Sequence, residues 1–189
     1  KGFGSSGSCN ININCDIGEK WQREKRAVAM IMVDNNTRLC TGCMLNNSRE
    51  DTTPYFLTAF HCIENETPET WMFLFNYESP NCSNINGSIN HSITGSVVVA
   101  ANSNSDFALL KLDTRPPESY NVYYAGWTID TNISDSNVVI HHPSGDIKKI
   151  SFSKEKADYT DWGTNKPYSH IHIPFWTEGT TEQGSSGAP

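Results

Sequence analysis

The chain has no apolar run long enough to cross a bilayer. Its longest, residues 27–33, falls far short of the ~20 residues that a spanning helix needs. It also lacks any long stretch with a convincing helical period, which argues against a helical fold. Positive charge is scarce: 14 Lys and Arg stand against 21 Asp and Glu, giving a net charge of −7 at pH 7. That balance argues against nucleic acid as a partner and mildly favours cationic substrates. No Met begins the sequence and Lys1 opens no signal-peptide pattern, as expected of a processed or trimmed form. No internal repeat stands out. Cys40 and Cys43 have a Cys-x-x-Cys spacing, but no second pair at ligand spacing accompanies them, so zinc is not indicated. His141 and His142 are neighbours on an expected strand and point to opposite faces, which disfavours a shared metal. His170 and His172 alternate onto one face, but no nearby Cys or acid cluster completes a site. No metal and no cofactor are expected.

What is present is strand. Short β-branched or aromatic runs at 28–33, 39–45, 72–77, 96–101, 107–112, 121–127, 138–142 and 169–173 recur between polar turns. Their lengths and spacing suit a barrel or a sandwich. At 189 residues and 37% hydrophobic content, the chain can bury a sizeable core in one domain or two small ones. Asp113-Thr114-Arg115-Pro116-Pro117-Glu118 is the best linker, because paired prolines cannot sit inside a central strand. Residues 81–90 are rich in Asn, Ser and Gly, as an exposed loop would be. Six cysteines in a loop-rich chain point to an oxidising, extracellular setting, with their pairing left open.

Three segments carry chemistry. The apolar run Tyr55-Phe56-Leu57 delivers a histidine in Thr58-Ala59-Phe60-His61-Cys62. Asp106 opens the apolar strand Phe107-Ala108-Leu109-Leu110. Gly184-Ser185-Ser186-Gly187-Ala188-Pro189 sets a serine against a glycine, the turn that exposes a hydroxyl and aims backbone N–H groups at an oxyanion. Singly, these read as a core histidine, a turn-forming acid and a flexible loop. Together they supply the nucleophile, the base and the orienting acid of acyl transfer. Ser186 is the expected nucleophile, His61 the base and Asp106 its partner, with the Gly184 and Ser186 N–H groups as oxyanion hole. An esterase of the α/β type is disfavoured, since its Gly-x-Ser-x-Gly elbow and Ser-Asp-His order are absent.

These residues resemble the chymotrypsin-fold serine endopeptidases, and more narrowly the secreted bacterial lysyl endopeptidases. The narrower likeness includes Gly7-Ser8-Cys9-Asn10, Ala125-Gly126-Trp127, Ile140-His141-His142-Pro143, Trp162-Gly163 and Thr181-Glu182-Gln183-Gly184. It implies an all-β fold of two six-stranded antiparallel β-barrels, the second incomplete here. Residues 1–113 would form the N-terminal barrel with His61 and Asp106, and 114–189 a partial barrel ending at the Ser186 loop. A barrel without its last strands leaves open edges, so a fragment is expected.

The resemblance further implies disulfides Cys40–Cys62 and Cys15–Cys82, and a partner for Cys9 beyond residue 189. Cys43 has no counterpart and is a candidate free thiol. Trp162 matches a tryptophan that borders the active site, where it would shield His61 or line the pocket. Ser185 stands where many trypsin-like enzymes carry an aspartate that pairs with the N-terminal ammonium, so activity is expected not to depend on that ion pair. The implied protein is a secreted monomer that cuts protein or peptide substrates after lysine, with no nucleic-acid or membrane partner. The lysine-selecting carboxylate of the family would lie beyond Pro189. Two alternatives stay open: glutamyl or trypsin-like specificity, and a protease-fold module or fragment without activity.

Overall fold

A computed structural model describes residues 4–33, 38–161 and 167–189. In chain order the strands are β1 (Ile11–Asn12), β2 (Val28–Val33), β3 (Arg38–Leu45), β4 (Tyr55–Ala59), β5 (Met72–Phe75) and β6 (Ser92–Thr94). They continue as β7 (Ser96–Asn102), β8 (Phe107–Leu112), β9 (Asn137–His141), β10 (Lys149–Ser153), β11 (Asp158–Thr160) and β12 (His170–His172). A single α-helical turn among the described residues, α1 (Phe60–Ile63), follows β4 directly.

The first sheet runs β6-β5-β2-β3-β4-β8-β7, antiparallel throughout. Its two edges, β6 and β7, are successive parts of one strand bent at Gly95, where φ is +92°. The sheet therefore closes on itself as a six-stranded barrel and leaves that bend as its corner. β2 is an inner strand between β5 and β3 and is buried at all six positions, which explains its unbroken apolar sequence. β8 faces solvent on one side and alternates accordingly, with Ala108, Leu110 and Leu112 inward. Phe56, Phe73, Trp71 and Leu110 fill the barrel, Phe56 meeting Phe73 edge-on at 4.9 Å.

The second half is a curled three-stranded sheet, β1-β10-β9, with a separate β11–β12 hairpin. Residues 11–12 thus pair with β10, although they precede the first barrel in the chain. Ile13, Ala27, Val28, Ile140 and Ile150 pack this sheet against the barrel. This half forms half a barrel, and Trp127, Ile171 and Phe175 on it are each about 60% exposed.

Several segments differ from the sequence reading. Residues 121–127 form no strand; Asn121 takes a left-handed φ of 50°, and the run pairs with β3 at an isolated bridge between Ala125 and Leu45. β10 is a strand that the hydrophobic pattern hides, because its flank carries Lys148 and Lys149. Both lysines are buried: Lys148 Nζ donates to Lys25 O at 2.8 Å, and Lys149 Nζ donates to Asn12 Oδ1 at 2.6 Å. β1 and β11, of two and three residues, are too short to carry a periodic signal.

Candidate active site

β4 runs into α1 at Ala59, and this corner presents His61. The chain returns through the turn before β8 with Asp106 at a φ of 49°, a left-handed conformation that aspartate tolerates better than most residues. Three hydrogen bonds hold it there. Phe60 N–H donates to Asp106 O at 2.9 Å, and His61 N–H donates to Oδ1 at 2.9 Å. The other carboxylate oxygen, Oδ2, lies 2.7 Å from His61 Nδ1. A carboxylate accepts only, so Nδ1 carries a hydrogen and the neutral ring keeps Nε2 as its basic nitrogen. The ring is 41% exposed while the carboxylate is 16% exposed, an acid largely shielded behind an accessible base.

The segment 182–189 packs across the same corner. Ser186 O accepts from Thr41 N–H at 2.8 Å and lies 4.0 Å from Sγ of Cys62, the residue after His61. The buried Thr41 hydroxyl donates to Gly184 O at 2.8 Å. Gly187 has a φ of +81°, and a Cβ there would stand 2.4 Å from Thr41 O and 2.7 Å from Ala59 N. Only glycine allows so close an approach.

Two carbonyls of this loop are held by hydrogen bonds. Gln183 O accepts from Ser144 N–H, and Ser185 O accepts from Ala188 N–H at 3.0 Å. All described peptides are trans, so the Gly184 and Ser186 N–H groups point away from those carbonyls. Gly184, at a φ of +94°, permits that turn.

The N-terminal segment straps the loop from outside. Gly7 N–H and Asn10 Nδ2 donate to Glu182 Oε1 at 3.0 and 2.7 Å, and Ser144 Oγ donates to Oε2 at 3.1 Å. Ser6 anchors the same segment on Asp146 through both its N–H and its hydroxyl. Sequence reasoning gave Thr41, Glu182 and Asp146 no role of their own; each has a partner more than 100 residues away in the chain, a contact that leaves no local signal.

Cys40 is joined to Cys62, which ties β3 to the turn carrying His61, and Cys15 is joined to Cys82. Cys9 is exposed and Cys43 buried, both as free thiols. Burial pushes the Cys43 thiol up to about 12, which leaves it inert as a nucleophile. His172 pairs with Asp158 at 3.0 Å. Trp162 lies outside the described residues.

Comparison with known proteins bears on family and fold. The family model for the lysyl endopeptidase C-terminal domain matches residues 3–189. A lysyl endopeptidase of Pseudomonas aeruginosa is 30% identical over 201 residues, covering 99% of this chain. The chain spans 42% of that relative's length. Among solved structures, the protease Anisep from Arthrobacter nicotinovorans aligns with a TM-score of 0.62 at 19% identity, covering 87% of this chain and 76% of its own. The thermostable serine protease AL20 from an extremophilic microorganism aligns at 0.61 and 13% identity, covering 88% and 78%. These likenesses establish the fold, and the family match reaches both the His61–Asp106 pair and the Ser186 loop: the chain belongs to the lysyl endopeptidase family, with a serine-protease fold of the chymotrypsin type.

Proposed function

We propose that the chain is the catalytic part of a secreted serine endopeptidase that cuts protein or peptide substrates after lysine. The observation that carries the reading is the two-oxygen grip of Asp106 on His61, one oxygen on the backbone and one on Nδ1. That grip leaves Nε2 to take a proton from Ser186 as its hydroxyl attacks the scissile carbonyl. His61 then returns the proton to the leaving amine, and water repeats the cycle on the acyl-enzyme. Asp106 stabilises the imidazolium that forms between the two transfers. The N–H groups of Gly184 and Ser186 stabilise the oxyanion.

Preference for lysine is supported by membership of the family and by the named activity of the Pseudomonas relative. Two disulfides support secretion into an oxidising compartment. The test is a panel of lysine, arginine and glutamate ester substrates with the full-length protein and its Ser186→Ala variant. The expected outcome is turnover of the lysine ester above the others, and a loss of about 10,000-fold or more in kcat for the variant. Near-wild-type turnover by Ser186→Ala would remove the nucleophile. A preference for glutamate or arginine would remove the lysine reading alone.

A further inference from the structure

The residue before the proposed nucleophile is held by a side chain that the chemistry above does not use. Ser185 Oγ lies 2.7 Å from Nδ1 of His141, a fully buried residue at the end of β9. Nε2 of the same ring lies 3.3 Å from Ser151 Oγ on β10, and that hydroxyl donates to Thr180 O at 2.7 Å. A hydroxyl has one hydrogen to give, so Ser151 accepts from His141 and the ring hydrogen sits on Nε2. Nδ1 is then an acceptor, and Ser185 donates to it. Ser185 Oγ in turn accepts the Glu182 N–H at 3.1 Å. Each hydrogen in this series, from Glu182 to Thr180, has one direction, and the series closes only around a neutral imidazole.

Ser185 is also the hinge of the loop's geometry. Its flanking peptides carry the oxyanion-side N–H of Ser186 and the carbonyl of Gly184 that Thr41 holds. A rotation at Ser185 would therefore move Ser186 and at least one oxyanion donor together. We propose that neutral His141, acting through Ser185, is the positioning residue that sets the nucleophile loop. It does with an uncharged hydrogen bond what an aspartate and an N-terminal ammonium do in trypsin-like enzymes. The inference rests on the reading of Ser186 as nucleophile.

The surroundings keep the ring neutral. Burial lowers the His141 pKa to about 4; Glu182 pulls upward, Lys149 on β10 pushes downward, and the neighbouring His142 is itself held neutral by burial. Protonation would put a hydrogen on Nδ1, so the Ser185 hydroxyl could no longer donate to the ring and would have to turn its own hydrogen elsewhere.

The test compares His141→Leu, His141→Asn, Ser185→Ala and the double variant His141→Leu/Ser185→Ala in the full-length protein, each at equal folded concentration. An amide oxygen of Asn can take the place of Nδ1 as acceptor. His141→Leu and Ser185→Ala should each lower kcat about 10- to 100-fold with KM little changed, since loop misplacement acts on the reacting atoms. His141→Asn should recover much of that loss, and the double variant should be no worse than either single one. Nitrogen chemical shifts of the imidazole should show the Nε2–H neutral form at pH 5 in the wild type.

An unchanged kcat per folded molecule in Ser185→Ala would overturn the proposal, as would multiplied losses in the double variant or a charged ring at pH 5. The shift measurement needs no activity, so it separates failure of this proposal from failure of the serine mechanism, which Ser186→Ala reports. If His141→Leu does not fold, Ser185→Ala and the shifts still decide the matter.

Discussion

Asp106 has two tasks that a single carboxylate does at once: Oδ1 fixes the backbone at His61, and Oδ2 fixes the ring. Replacing it with asparagine separates them. The amide oxygen can still accept one hydrogen bond, but the amide nitrogen can only donate and would favour the wrong tautomer of His61. Asp106→Asn is expected to keep the melting temperature within a few degrees while lowering kcat about 10,000-fold. Steady-state rates on a lysine ester, beside a thermal melt, check both halves. At this scale the sequence singles out His61, Asp106 and Ser186 because each sits in a local frame of apolar or glycine neighbours, and the structure pairs the first two. His141 was not. Its meaning comes from Ser185, 44 residues later, and adjacent histidines on a strand show only that the two face apart.

Among the elements, the turn carrying His61 depends on the Cys40–Cys62 bond as well as on β4. The bridge closes a loop of 22 residues, which by chain entropy is worth about 3 kcal/mol. Cys40→Ala/Cys62→Ala should therefore lower the urea midpoint substantially and, because the bond sits at α1, weaken activity before global unfolding. Rates measured across a urea gradient, with fluorescence alongside, would show the activity loss at lower urea; coincident loss would mean that the bridge serves global stability alone.

Strand reading succeeded where burial is simple. β2 is apolar throughout because both faces are covered, and β8 alternates because one face is wet. It failed at β10, where buried lysines meet Asn12, Lys25 O and Asp146. A hydrophobic pattern records which side chains avoid water, not which polar ones find partners inside. It also failed at 121–127, where aromatic residues pack on the barrel as an extended run without strand pairing on both sides.

At the scale of the whole molecule, the two halves meet over a polar seam. His141, His142, Thr41 and the loop 182–187 lie there, and the imidazoles are buried neutral. An unfolded histidine takes a proton near pH 6.5, whereas folded His141 resists until about 4. The unfolded chain thus binds more protons over that window, and folding is disfavoured as pH falls through it. Stability from this group is complete above the unfolded value and lost on the way down to about 4, a change of about 3 kcal/mol. His142, also held well below the ordinary value, chiefly by burial, adds in the same direction. Urea midpoints at pH 7 and pH 4.5 should differ markedly in the wild type and less in His141→Asn; equal differences would mean that other groups set the acid limit.

The barrel class was readable from the sequence. The seam was not, since it is built from contacts between residues 41, 141–146 and 182–187 that are far apart in the chain.

We propose that Ser186 is a nucleophile made reactive by His61 and Asp106. A fluorophosphonate labels such a serine covalently, and mass spectrometry of the digest identifies the residue that carries the adduct. With the full-length protein, one adduct on Ser186 is predicted, abolished in Ser186→Ala and reduced to background in His61→Ala. An adduct on Ser185, or labelling of Ser186 that persists at the same rate without His61, would contradict the account.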